Sequence, residues 1–227
     1  MSQAIQSTNP SKSSLVLYLA TFPQISETFI VSKFLGLRHH GWDVHIVCHQ
    51  FNQDAWAQFP DLANNPELKN RVHQTWPSHP NWLVVLLFLP AFLSTFFNAP
   101  TQTWRYWVLG LKRFGWGVFK HFYQDATLIT LKPDILHFEF GALAVSKTHL
   151  KEFLETKLSV SFRGYDLNFA GLENPNYYQK LWQAIDSYHV LSHHLWKRAL
   201  ERGCPSHKKY QRIPPAIDLS TFPTIKP

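Results

Sequence analysis

The segment from Leu15 to Ile30, LVLYLATFPQISETFI, constrains the fold more than any other, because an apolar run passes through a short polar turn directly into a helical pattern. Leu15 to Ala20 is apolar at every position, as a strand covered on both faces would be. Ser26 stands where a helix N-cap belongs and Glu27 falls in the first turn, where a negative charge suits the helix dipole. The helical pattern runs to Gly41, a residue suited to a left-handed C-cap, and Asp43 to Cys48 supplies the next strand. Alone, this is an ordinary strand-to-helix turn.

The pattern recurs. Asp134 to Phe138 is a short strand leading through Glu139 and Gly141 into a helical run from Ala142 to Leu154. Leu158 to Phe162 empties into Arg163-Gly164-Tyr165-Asp166. Ser187 to Leu191 is followed by Ser192 and a helix from His194 to Arg202, which Gly203 closes. Such alternation demands an α/β fold, a doubly wound and mostly parallel sheet of Rossmann-like type, with right-handed crossovers. The carboxyl ends of its strands share one edge, so Ser26, Glu27, His137, Glu139, Arg163, Asp166 and Ser192 are expected along one crevice, with Gly141 and Gly164 in the same turns.

Composition excludes several alternatives. The 227 residues suit one domain with a sizeable core. Cys48 and Cys204 are the two cysteines, widely separated, which fits a reducing cytoplasm and neither a disulfide framework nor a metal site. Histidine is frequent, but His39-His40 and His193-His194 are adjacent pairs whose side chains diverge on a helix, so no metal is expected. The net charge is +7, yet no nucleic-acid-binding motif accompanies it. Met1 to Ser14 is polar and lacks the apolar core of a secretion signal, and reads as a disordered tail.

The middle of the chain, about 76–130, reads as a helical apolar insertion. Trp82 to Phe97 has no charge but is short for a spanning helix, which wants about 20 residues, and Pro90 interrupts it. Trp104, Trp107, Val108, Leu111, Val118, Phe119 and Phe122 then recur at helical spacing, with Arg105, Lys112, Arg113 and Lys120 on another face and Trp116 among them. Two readings stand for this stripe: packing on the sheet or the preceding helix, or contact with an anionic membrane surface.

Four blocks, FPQISETFI, LHFEFG, SFRGYDL and VLSHHLWKRALERGCP through IPPAIDLSTF, together resemble the amino-terminal half of GT-B glycosyltransferases. The nearest resemblance is to retaining bacterial enzymes that build exopolysaccharide and colanic-acid-type repeat units. Only Met1 to Ser14 and about Asn52 to Thr130 fall outside it. The resemblance implies a Rossmann-like domain over 15–213 that supplies the acceptor side of a cleft, with no cofactor and a nucleotide sugar as donor. The acceptor would be a polysaccharide or a lipid-linked glycan, at the cytoplasmic face of the membrane. It implies that Ser26 and Glu27 lie near the donor phosphates or acceptor, that Arg163 stabilises negative charge, and that Asp166 orients an acceptor hydroxyl. His137, Glu139, Gly141, Gly164 and Ser192 would line the substrate.

The departures matter too. Family members often carry a histidine where Arg163 stands and another where Glu139 stands, and a guanidinium cannot exchange a proton near neutral pH as an imidazole can. Arg163 is therefore read as an anchor for phosphate or a carboxylate-bearing sugar, or else as a structural ion pair with Asp166. In the resembled enzymes the counterpart of IPPAIDLSTF leads into a second Rossmann-like domain that binds the nucleotide sugar and carries two glutamates eight positions apart. Here the stretch 214–227 has the composition of an interdomain linker, and the expectation is one half of a two-domain enzyme, its partner half supplied by a separate donor-binding subunit or lost by truncation. The other reading is a non-catalytic module that binds an acceptor lipid or a partner subunit.

Overall fold

The structure, a computed structural model, describes residues 13–214; most of the expected tail and the linker from 215 onward lie outside them. The strands are β1 (Ser14–Phe22), β2 (Asp43–Phe51), β3 (Val72–Gln74), β4 (Ile135–Phe138), β5 (Lys157–Phe162), β6 (Ser187–Val190) and β7 (Tyr210–Arg212). The helices are α1 (Thr28–His39), α2 (Gln53–Gln58), α3 (Pro60–Ala63), α4 (Asn81–Asn98), α5 (Pro100–Phe114), α6 (Val118–Leu131), α7 (Gly141–Ala144), α8 (Leu150–Leu154), α9 (Gly164–Asn168), α10 (Gln179–Ala184) and α11 (His193–Glu201). The seven strands form one sheet in the order β3-β2-β1-β4-β5-β6-β7, and every neighbouring pair is parallel. This is the expected Rossmann-like α/β fold, and its order reverses between β1 and β4, the switch point where a crevice opens at the carboxyl edge.

The continuous apolar run of β1 follows from its central place. Leu15, Leu17 and Leu19 face one core layer with Ile30 and Phe34 of α1, while Val16 and Tyr18 face the other with Phe122, Leu136 and Phe153. Further along the sheet the two faces differ. Leu158, Val160, Phe162, Tyr188 and Val190 point into the second core, but Ser159, Ser161 and His189 occupy the alternate positions of β5 and β6. The α1 face is thus apolar over β1 and β2 and polar over β4 to β6.

Local expectations divide. Ser192 does cap α11, its hydroxyl accepting from Leu195 N at 3.2 Å, and Gly41 and Gly203 close their helices with positive φ. Ser26 does not cap α1: Ile25–Glu27 forms a 3₁₀ turn, so α1 begins only at Thr28, and Ser26 is left exposed within the turn. The tail ends earlier than expected, because Ser14 already belongs to β1 and donates its N–H to Asp134 at 2.8 Å. The run from Ala142 to Leu154 is interrupted by a 3₁₀ turn at Val145–Lys147, which sends Lys147 and His149 inward. The aromatic stripe from Trp104 to Phe122 is likewise two helices joined at Gly115–Gly117, so Val118 and Phe122 are buried while Trp104 and Leu111 stay exposed.

Candidate functional site

Four of the expected residues converge at the switch point, around the carboxylate of Glu139. Glu139 follows β4 and is fully buried; its N–H still pairs with Tyr18 O at 3.1 Å, which locks it beside the end of β1. Its Oε1 accepts from Lys33 Nζ at 2.7 Å and its Oε2 from Arg163 Nη2 at 3.0 Å. Burial opposes ionisation of Glu139, but the neighbouring His137 ring and the Lys33 and Arg163 cations together outweigh burial and hold its carboxyl below the usual range.

Arg163, at the turn after β5, is held from several sides. Its Nε donates to Glu139 O at 3.1 Å, and its guanidinium lies 4.0 Å from the centre of the Phe29 ring and 5.3 Å from that of Phe140. Nε and Nη2 are committed to Glu139, and Nη1 has no partner among the described residues. The ion pair of Arg163 is therefore with Glu139, not with Asp166. Asp166 is fully buried, its Oδ1 accepting from Ala142 N and its Oδ2 from Arg163 N, each at 2.9 Å. Burial raises its pKa against those backbone bonds. With both oxygens buried and bound to backbone N–H groups, Asp166 fixes the turn that presents Arg163.

Glu27 lies close enough for Arg163 and Glu139 to act on it. Burial raises its pKa, Arg163 opposes this and Glu139 reinforces it, and its Oε2 is buried with no hydrogen-bond partner. His137 sits at the inner end of the cluster, held down to about 3 by burial and thus neutral at physiological pH. Its tautomer follows from a chain of contacts. His189 Nε2 donates to Ile213 O at 3.0 Å, so Ser161 must donate to His189 Nδ1 at 2.7 Å and accept from His137 Nε2 at 3.0 Å, while Ser159 donates to His137 Nδ1 at 3.0 Å. Lys33 Nζ, 3.3 Å from that same Nε2, finds no acceptor there. Its bond to Glu139 therefore leaves two N–H groups unused.

The remaining expected residues are used locally. An added Cβ on Gly141 would overlap the Phe162 ring, so glycine there permits α7 to pack on β5. Gly164 opens α9 with its nearest such neighbour, Asn168, at 3.9 Å. Ser192 is occupied at the end of β6 as a helix cap. Sequence reasoning missed Lys33, Phe29, Ser161 and His189. The signal for Lys33 was its place as the lone charge in the helical stretch FIVSKFLGL, one turn after Phe29.

On the other sheet face a cavity of about 250 Å³ opens at the same carboxyl edge, lined by Tyr18, His49, Thr75, Gln124, Ser146 and Lys147. Chemically, the switch-point cluster presents two cationic groups with unused N–H donors, held at fixed spacing by one buried carboxylate. Such an arrangement receives an oxyanion without reorganising. Among the described residues no group of three or more His, Cys, Asp or Glu is placed to hold a metal ion. Compared with family models, curated proteins and solved structures, the chain finds no match in any of the three.

Proposed function

We propose that this chain is the acceptor-side domain of a glycosyltransferase that moves sugar from a nucleotide sugar to a polysaccharide or lipid-linked acceptor. The observation that carries the reading is the Lys33–Glu139–Arg163 cluster at the β1/β4 switch point, with Arg163 Nη1 unpartnered. In this reading Arg163 and Lys33 meet the negative charge that develops on the departing phosphate, and Glu139 keeps both cations aimed. Glu27, with its buried unpartnered oxygen, accepts from a hydroxyl or amide of the substrate. Asp166 acts by positioning Arg163. A donor-binding unit, on the same polypeptide or on a separate subunit, is the partner this reading requires, and the reaction runs at the cytoplasmic face of a membrane.

Titration of the full chain with inorganic pyrophosphate tests the anion site. Arg163→Gln and Lys33→Gln are each expected to weaken binding about tenfold, the size of one charge-assisted contact, compared at a temperature where circular dichroism shows each variant folded. Failure of the parent to bind, or equal binding by both variants, overturns the reading.

A further inference from the structure

Helix α4 lies on the second core layer with one side buried and the other bare. Its inner side packs through Phe88, Ala91, Phe92 and Thr95; the Phe92 ring centre lies 6.1 Å from Trp107 and 5.8 Å from Phe122. Its outer side shows Trp82, Val85, Leu86, Leu89, Leu93 and Phe97, and Val85 and Phe97 are 77% and 76% exposed. On α5 and the turn after it Trp104, Leu111 and Trp116 are exposed as well, Trp116 to 84%. An 18-residue helix is about 27 Å long, and monomeric proteins seldom leave an apolar face of that extent uncovered.

Charge decides what covers it. From Leu68 to Gln124 the sequence contains no Asp or Glu. Arg105 is paired with Glu155, and Arg113 lies 3.9 Å from Glu152, but Lys112 and Lys120 are exposed with no ion-pair partner among the described residues. A two-fold dimer through this face would bring basic edges together, because the same patch, with no acidic residue from 68 to 124, supplies both halves of the interface. An anionic lipid surface accepts both the apolar stripe and the lysines.

We propose that α4 and α5 dock this protein in the plane of an anionic bilayer surface, with the α4 stripe among the acyl chains and Lys112 and Lys120 at the level of the phosphates. By length and composition α4 could also cross a membrane. Crossing would strip Phe88, Ala91 and Phe92 from the domain, whereas lying in the plane leaves those contacts intact. This inference stands apart from the sugar-transfer reading, since no residue of the switch-point cluster enters it.

Flotation of the full chain with phosphatidylcholine vesicles, with and without phosphatidylglycerol, tests the docking. The parent is expected to float with the anionic vesicles and far less with the neutral ones. Leu86→Glu with Leu89→Glu abolishes flotation, and Lys112→Gln with Lys120→Gln weakens it on the order of thirtyfold, with melting temperatures unchanged because all four side chains are exposed. Absence of flotation, equal flotation on neutral vesicles, or undiminished flotation of the lysine variant overturns the proposal. So does retention in the bilayer after an alkaline carbonate wash, the mark of a spanning helix, or light scattering that shows a dimer dispersed by the leucine variant.

Discussion

Glu139 and Asp125 are both fully buried carboxylates, one on each side of the sheet, and they are solved differently. Asp125 is bound by Lys147, by His149 at 2.7 Å and by the Tyr106 hydroxyl at 2.7 Å, and those three partners are themselves buried. Burial opposes its ionisation, and Lys147 and His149 outweigh burial to hold its carboxyl well below the usual range. Glu139 is held by Lys33 and Arg163, whose side chains are 26% and 14% exposed. The same chemistry makes a knot under α5 and α6, closed by three partners, and a port at the switch point; the clearest difference is Lys33, since the Lys147 side chain at 10% is scarcely less exposed than Arg163.

Truncation gives the widest separation. Asp125→Ala strands the buried Lys147 charge and is expected to cost about 3–5 kcal/mol in urea unfolding, whereas Glu139→Ala costs about 1–2 kcal/mol because Lys33 and Arg163 can reach solvent. Equal losses would break the comparison.

Gly141 tests how tightly α7 binds the port to the sheet. Gly141→Ala forces its Cβ against Phe162 and is expected to cost about 1–3 kcal/mol, weakening pyrophosphate binding as Ala142 moves away from Asp166. Gly164→Ala, with open space around it, should change stability by less than about 1 kcal/mol. If the two alanines behave alike in thermal melts, α7 is not the rigid element that the port rests on.

Acid sharpens the contrast further. The folded pKa of His137, about 3, lies below its unfolded value of 6.5, so the unfolded chain binds the extra proton between them and stability falls as pH drops below 6.5. Glu139, also depressed, adds its loss as pH falls below its unfolded 4.5, and Asp125 only below its unfolded 3.8. Since other histidines titrate in the same window, the measurement is a difference. His137→Gln should flatten the parent's slope between pH 6.5 and pH 5 by up to about 1.4 kcal/mol per pH unit. An unchanged slope would mean that His137 is protonated in the fold.

Much of this was legible in the chain. The four strand-to-helix junctions implied a parallel sheet, and the sheet brought Glu27, His137, Glu139 and Arg163 together from separated positions. What stayed hidden depends on side-chain direction. Whether Arg163 would turn to Asp166 or Glu139 is settled by Phe29 and Phe140 holding its guanidinium, which no spacing encodes. Ser26 lost the cap position because the 3₁₀ turn delays the helix by one residue, to an N-cap at Glu27. The aromatic stripe read as one helix because period alone does not register the Gly-Trp-Gly break.

The chain of contacts from Ile213 to Ser159 has a direction, and direction is information. Each hydroxyl and ring nitrogen in it donates one way only because the Ile213 carbonyl, at the end of β7, obliges His189 to donate there. A shift of Ile213 away from His189 would release that ring to its other tautomer, and Ser161 and His137 could then reverse in turn. His137 Nε2 would then present a lone pair in place of an N–H, taken by the Ser161 hydroxyl and shared with Lys33 at 3.3 Å, which changes the field that Lys33 meets beside Glu139. The edge strand thus works as a terminal that sets the polarity of a wire, reporting at the switch point how the backbone leaves the sheet three strands away.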